Sequence, residues 1–462
     1  MKANKNIPVN KNDNITLKIE AYTSEGYGIG RYEGFAVFVP FALVGETVNV
    51  HIIKVSKGFA VGKLTELIEK NDDIRETPYC FEFLSCGGCD IQHMKYEKQL
   101  ELKRDRVYNA LKRIGGIDIA PEAVLPTVGM NTPMHYRNKA SFPFGNVDGR
   151  TRLGFYAPRS HRLIPIEDCP IQEENTVIAM KVVEEWANKY DIPAYDEESG
   201  RGILRHLVVR SSKSGISVCV VTCGNALPYK AELTSMLKEK LPGLSGVIHN
   251  INDRVTNVIL GEKYKTVYGT DTLTEELCGL EFNVRTPSFL QVNREQTVKL
   301  YEAATEYLAP KKSETIFDIY CGIGTISLLV AKSARKVYGI ESVKEAVEDA
   351  KSNSVLNNLD NTEFIAGEAE KVLPQLVKAG TKADAVIIDP PRKGCEEVVL
   401  RAIIESGVER LVYVSCNPET LARDVKILSE GGFALSKAQP VDMFPQCAHV
   451  ETVCLLSRKV PV

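Results

Sequence analysis

Apolar and polar residues alternate along this chain with two different periods, and the switches between them mark its regions. From about Asn14 to Glu69 the runs ITLKIEA, AVFVPFA, ETVNVHIIKV and AVGKLTELI follow a strand-like alternation. Glycine turns at Glu25-Gly26 and Lys57-Gly58 separate them, which predicts a small closed β-barrel of the OB kind. From Thr77 to Asp90 the alternation breaks into a cysteine-rich loop, and from Met94 to Ile114 it becomes helical. Between Thr176 and Thr286 a helix (NTVIAMKVVEEWANKY) alternates with strands (ILRHLVVRSS, GISVCVVTC, GVIHNIND), a mixed α/β arrangement. From Thr315 onward TIFDIY, KVYGIE, TEFIAG, ADAVIID and RLVYVSC are short, continuously apolar runs separated by helical patterns. Such runs are buried parallel strands, so this part is expected to be a doubly wound, Rossmann-like α/β sheet with its ligand at the carboxyl ends of the strands. The 462 residues are enough for roughly two to four domains at about 150 residues each. The pattern places them at 1–70 (barrel), 71–290 (central α/β) and 291–462 (C-terminal sheet).

Composition narrows the function classes. Hydrophobic residues make up 44%, and no stretch approaches the roughly 18 uncharged apolar residues of a membrane span. The start, MKANKNIPVNKNDN, has no apolar h-region, so no membrane partner and a cytoplasmic location are expected. In such a reducing compartment the 12 cysteines should be thiols, metal ligands or catalytic groups. A net charge of −3 means that any nucleic-acid surface must be local. Two stretches are candidates. One is the 94–114 helix, with Lys95, Lys98, Lys103, Arg104, Arg106, Lys112 and Arg113. The other runs from His135 to Arg162, where Arg137, Lys139, Arg150, Arg152, Arg159 and Arg162 are interleaved with Tyr136, Phe142, Phe144, Phe155 and Tyr156. Cations hold phosphates and flat rings stack bases, although a solvated helix face and ordinary core aromatics would look the same.

Candidate chemistry sits at the strand ends. The first C-terminal strand leads into Asp318-Ile-Tyr-Cys-Gly-Ile-Gly-Thr325, where Gly322 and Gly324 let the backbone approach a cofactor. Glu341, about 20 residues beyond, closes the second strand as a carboxylate for ribose hydroxyls. The spacing G-x-G-T lacks the third glycine of a dinucleotide site, so a nucleoside cofactor without phosphates, such as S-adenosylmethionine, fits better. Asp389-Pro-Pro-Arg-Lys-Gly394 ends the fourth strand in a rigid loop, and Ser415-Cys416-Asn417-Pro418 leaves a thiol at the mouth of the sheet. His449-Val-Glu451 opens the last strand with an acid.

Together DIYCGIGT, DPPRKG, VSCNP and HVETV resemble, in order and spacing, the uracil-C5 RNA methyltransferase family, which includes the tRNA and ribosomal RNA m5U enzymes. The resemblance extends to Ser288-Phe-Leu-Gln291-Val-Asn293, and the barrel resembles the RNA-binding TRAM domain. It implies S-adenosylmethionine-dependent methylation of uridine C5, with Cys416 as a nucleophile that adds to C6 and Glu451 as the base that removes the C5 proton. Gln291, Tyr320, Gly322, Glu341 and Asp389 would line the cofactor site. Cys80, Cys86, Cys89 and Cys169 look like the four thiolates that bind a [4Fe–4S] cluster in the ribosomal RNA branch. By itself the Cys86-Gly-Gly-Cys89 pair could be a redox dithiol or half of a zinc site. The expected partner is therefore RNA, 23S ribosomal RNA first, acted on by a monomer. A tRNA uridine enzyme, a cytosine enzyme and a non-catalytic metal-containing RNA-binding protein are the alternatives. Cys447 departs from the family pattern and is read as incidental.

Overall fold

The structure, a computed structural model, describes residues 7–459; residues 1–6 and 460–462 of the expected first and last domains lie outside this range. The barrel forms from β1 (Asn14–Tyr22), β2 (Gly28–Tyr32), β3 (Phe35–Val39), β4 (Thr47–Val55) and β5 (Phe59–Glu69), closed in the order β1-β2-β3-β5-β4. Alternate residues such as Leu17, Ile19, Val37, Val48, Val50 and Ile52 fill its interior, which is what the alternation requires. β2, with the sequence GIGRY, is too short and glycine-rich to announce itself in the pattern.

After the cysteine loop comes α1 (Tyr96–Asn109), which continues into a π-helical turn over Ala110–Ile114. The central sheet contains β6 (Lys139–Val147), β7 (Arg150–Tyr156), β8 (Leu163–Pro165), β9 (Leu204–Ser212), β10 (Gly215–Thr222), β11 (Leu244–Ile251) and β12 (Lys263–Gly269). Their order is β12-β11-β10-β9-β6-β7-β8, with α2 (Glu174–Lys189) and α3 (Lys230–Lys240) packed in its core. The hairpin β13 (Leu273–Leu277) and β14 (Leu280–Val284) precedes α4 (Arg294–Leu308).

The C-terminal sheet contains β15 (Thr315–Ile319), β16 (Lys336–Glu341), β17 (Thr362–Ala366), β18 (Ala385–Ile388), β19 (Arg410–Ser415), β20 (Phe433–Val441) and β21 (Glu451–Arg458). Its helices are α5 (Thr325–Ala331), α6 (Lys344–Leu356), α7 (Ala369–Lys378), α8 (Glu397–Glu405) and α9 (Pro418–Glu430). The order is β17-β16-β15-β18-β19-β21-β20: the first five strands are parallel, and β21 enters antiparallel between β19 and β20. The doubly wound sheet is as expected. The antiparallel insertion is β21; its outer partner β20 is masked as a strand by Lys437 and Pro440.

The expected 71–290 segment contributes its two ends to the cores on either side of the C-terminal sheet. Val107, Ala110, Leu111, Ile119 and Val124 are buried with α9 and β19, while Leu277, Phe282 and Val284 are buried with α4 and α5. Backbone bridges Val124↔Ala438 and Val128↔Val441 extend the catalytic sheet beside β20. Only the stretch between them, from about Tyr136 to Val267, has a core of its own.

The basic helix is a docking element. Lys103 is fully buried and ion-paired with Asp442, which also accepts from Tyr96 Oη at 2.8 Å. Arg104 donates to the carbonyls of Val124 (2.9 Å) and Pro121 (2.7 Å), and Arg106 to Glu419 at 2.9 Å and to the Ala448 carbonyl at 2.9 Å. These three cations are therefore not available as a phosphate-binding face. In the second basic stretch Tyr136, Phe142 and Phe144 are core residues, and Arg152 is paired with Glu184 and Glu167.

Removing one partner of a buried pair leaves an uncompensated charge, at a cost of about 3–5 kcal/mol. Lys103→Met is expected to lower the urea midpoint by that amount of stability, and Lys103→Met with Asp442→Leu to recover much of it. Unchanged unfolding of Lys103→Met would show that the pair does not hold α1 to the catalytic core.

Candidate active site and thiol cavity

The reversal of β21 determines the site. Parallel β19 ends at the ligand-binding edge while antiparallel β21 begins there, with Ser415 paired to Thr452. One step further along this register Cys416 and Glu451 lie side by side. Cys416 is held by the start of α9: Asn417 Oδ1 accepts from the backbone N–H groups of Glu419 (3.0 Å) and Thr420 (3.3 Å), capping the helix.

At the opposite wall the glycine turn folds back under β16. Gly322 (φ 56°) and Gly324 (φ 83°) take left-handed backbone conformations, and a Cβ on Gly324 would come within 3.1 Å of Ala350 and Phe364. Tyr320 adopts φ 69° without being glycine, a strained position of the kind found at ligand sites. Glu341 Oε2 accepts from Gly322 N–H at 3.1 Å and its Oε1 from Val343 N–H at 2.9 Å, which fixes the carboxylate at the cavity edge.

Gln291, Tyr320, Gly322, Glu341, Asp389, Cys416 and Glu451 all line one cavity of about 1000 Å³. Its charge is asymmetric. Glu341, Glu345, Glu368 and Glu370 gather on the side of the glycine turn, while Arg137, Arg285, Arg392 and Lys393 also reach the wall. Carboxylates around the glycine turn oppose a pyrophosphate and favour a cationic ligand such as a sulfonium. Burial raises the Glu451 carboxyl to about 8, with Asp389 adding to the rise and Arg392 opposing it. Glu451 Oε2 is buried without a hydrogen-bond partner. Asp389 is raised to about 7 by burial and then by Asp318, which is itself raised to about 7 by burial while it accepts from Ser327 Oγ at 2.5 Å. The Cys416 thiol is raised to about 11 by burial, Glu451 and Asp389, against the opposing effect of Arg392.

Sequence reasoning missed Arg392, although DPPRKG contains it: the motif shows that the loop is rigid, not that its arginine faces the thiol and the acid. It also missed Phe289, which is 71% exposed at the cavity wall. Arg137, read as part of an RNA-binding sheet, lines the cavity itself.

Cys80, Cys86, Cys89 and Cys169 line a second cavity, of about 440 Å³, which shares Arg137 and Val292 with the first. Among the described residues, no three His, Cys, Asp or Glu side chains are gathered closely enough to hold a metal ion. Burial raises Cys86 to about 11 and Cys169 to about 12. Cys447 is not incidental to this region: its Sγ donates to the Gly88 carbonyl at 3.1 Å, and it stands against Cys89.

A doubly wound sheet with an acid-lined glycine turn and a thiol at the mouth defines the class of nucleoside-dependent group-transfer enzymes, and comparison with known proteins narrows it. A profile of the tRNA (uracil-5-)-methyltransferase family matches residues 95–459, and one of the TRAM domain residues 8–65. Uncharacterized RNA methyltransferases of Clostridium tetani and Clostridium acetobutylicum are 46% and 44% identical over 455 and 454 residues, 98% of each chain. The crystal structure of Pyrococcus abyssi tRNA (uracil-54, C5)-methyltransferase in complex with S-adenosyl-L-homocysteine superposes with a TM-score of 0.77 at 26% identity, covering 96% of this chain and 99% of that one. The chain belongs to the tRNA (uracil-5-)-methyltransferase family and carries a TRAM domain. It is an S-adenosylmethionine-dependent RNA uracil-C5 methyltransferase. Among the described residues no helix is long and apolar enough to cross a membrane.

The raised carboxyls have a consequence for stability. A carboxyl whose folded pKa exceeds its unfolded value binds more protons when folded, so stability is highest below the unfolded value and falls as pH rises toward the folded one. For Glu451, whose carboxyl rises from the ordinary value of 4.5 to about 8, that window runs between those two values. The melting temperature of the ligand-free protein is expected to drop across it, and Glu451→Gln to flatten part of the drop. Identical profiles for both proteins would show that Glu451 is not held protonated.

Proposed function

We propose that this chain methylates C5 of a uridine in 23S ribosomal RNA through a covalent adduct with Cys416, and that Glu451 is the base that resolves it. The observation that carries this reading is the placement of the thiol and the partnerless carboxylate on one cavity wall, opposite the acid-lined glycine turn.

S-adenosylmethionine supplies an electrophilic methyl group; Gln291, Tyr320, Gly322, Glu341 and Asp389 are the residues proposed to hold it. C5 of uracil is a weak nucleophile, so Cys416 must act first. Its thiolate adds to C6, and the C5=C6 electron pair makes C5 an enolate carbon that would bond the methyl group as the methyl–sulfonium bond breaks and S-adenosylhomocysteine leaves. The product C5 carries both methyl and hydrogen. Glu451 takes that proton, the electron pair re-forms C5=C6, and the S–C6 bond breaks to release Cys416. Arg392 opposes the upward shift of both Cys416 and Glu451, favouring the ionised forms that these steps need. A base inside a stem cannot reach this cavity, so the target is a flipped or single-stranded nucleotide.

Cys80, Cys86, Cys89 and Cys169 are proposed to hold a [4Fe–4S] cluster. Four thiols around one cavity form a donor set that a thiophilic metal centre would hold as thiolates. The centre's proposed role is to brace the loop; no reaction step passes through it. Ribosomal RNA as the target rests on the resemblance of this loop. The family profile and the Pyrococcus abyssi enzyme support tRNA as the second reading. Mapping m5U in both RNAs from a deletion strain decides between them. The enzyme is proposed to act as a monomer in the cytoplasm.

With ordinary RNA, Glu451→Gln is expected to accumulate a covalent, methylated adduct on a denaturing gel, since loss of a general base costs about 10²- to 10⁴-fold. Cys416→Ala should form no adduct, even with 5-fluorouridine RNA, whose fluorine cannot leave as a cation. Rapid turnover by folded Glu451→Gln would remove Glu451 from the mechanism. Protein purified without air should be brown and contain iron and sulfide; colourless protein with stoichiometric zinc would refute the cluster.

A further inference from the structure

Residues 442–450 join β20 to β21 and stop immediately before Glu451. They form neither helix nor strand, yet they are buried almost throughout. A buried segment without a ladder needs partners for its backbone groups from elsewhere, and here the cysteine loop and α1 supply them.

Asp90 N–H and Ile91 N–H both donate to the Gln446 carbonyl, at 3.0 and 3.1 Å, and Asp90 Oδ2 accepts from Ala448 N–H at 3.2 Å. Asp90 thus grips the connection on both sides of Cys447. From α1, the buried Gln99 makes a reciprocal pair: its Oε1 accepts from Gln446 N–H at 3.1 Å, and its Nε2 donates to Gln446 Oε1 at 2.9 Å. Gln446 itself has φ 71°, a left-handed conformation that a glutamine keeps only where its surroundings impose it. Neither Asp90 nor Gln99 lines the active cavity. Cys416 is secured independently, by the Asn417 cap of α9.

We infer that Asp90 and Gln99 are positioning residues for Glu451: by fixing residues 446–448 they set where its carboxylate enters the cavity, while Cys416 is held without them. This rests on the reading of Glu451 as the base. Misplacement of a reacting group by about 1 Å costs on the order of 100-fold. The step that Glu451 performs should therefore fail selectively when its connection loosens, leaving thiol addition and methylation intact.

The test uses the full-length enzyme with Asp90→Ala, Asp90→Asn and Gln99→Leu, with Glu451→Gln run in parallel. Asp90→Ala and Gln99→Leu should accumulate methylated adduct with ordinary RNA, with resolution slowed about 10- to 100-fold, and should trap 5-fluorouridine RNA at a rate near that of the unaltered enzyme. Asp90→Asn keeps an acceptor for Ala448 N–H and should resolve the adduct nearly normally. Asp90 adjoins Cys89, so iron content is measured alongside; Gln99→Leu lies outside the cysteine loop and decides the matter if Asp90→Ala loses metal. If trapping and resolution fall together, or no adduct accumulates while Glu451→Gln does accumulate it, the positioning role is wrong. If Glu451→Gln accumulates none, the base assignment fails, and this inference with it.

Discussion

The site depends on the direction of one strand. Five parallel strands bring their carboxyl ends to a common edge, which is where a cofactor can bind, but a parallel strand can present there only residues that follow it. β21 runs the other way, so its first residue reaches the same edge. A thiol that follows one strand and an acid that opens its neighbour thereby meet, although 34 residues lie between Cys416 and Glu451 and include the whole of α9 and β20. Reversal also gives each residue a different anchor. Cys416 takes its position from the helix cap beside it, Glu451 from the connection before it.

Burial does the electrostatic work. Burial pushes Glu451, Asp389 and Asp318 toward their neutral forms; Arg392 opposes the rise at Glu451, and hydrogen bonds from Ser327 oppose it at Asp318. A carboxyl raised to about 8 is badly suited to an ion pair and fits the proton exchange proposed for Glu451. The acids near the glycine turn discriminate as well: they suit a cationic sulfonium and repel the phosphates of a dinucleotide.

Much of this was legible in the chain, and the reasons are local. Strand runs such as KVYGIE coincide with β16 because a buried parallel strand must be apolar on both faces. Glu341, Asp389, Cys416 and Glu451 could be placed on one edge because each adjoins the end or the start of such a run. What escaped was non-local. Lys103 and Asp442 are 339 positions apart, and nothing around Lys103 distinguishes it from a solvated helix lysine. The aromatic residues near Arg152 looked like base-stacking groups, but most are core residues. β20 escaped because an edge strand can carry Lys437 and Pro440, and with it went the context that makes residues 442–450 a clasped connection.

That connection explains why the domain boundaries drawn from pattern divide a core. A methyltransferase sheet alone would leave the approach to β21 as an irregular buried segment with unsatisfied backbone groups, which is costly. Here α1 and the cysteine loop pair those groups. Arg106 of α1 adds another partner for the connection: its guanidinium donates to the Ala448 carbonyl and is itself paired with Glu419. The elements that precede the catalytic sheet in sequence therefore do more than bring RNA to it. They pair the backbone of the segment that leads to Glu451, which ties the loop around the thiol cavity to the mouth of the active cavity.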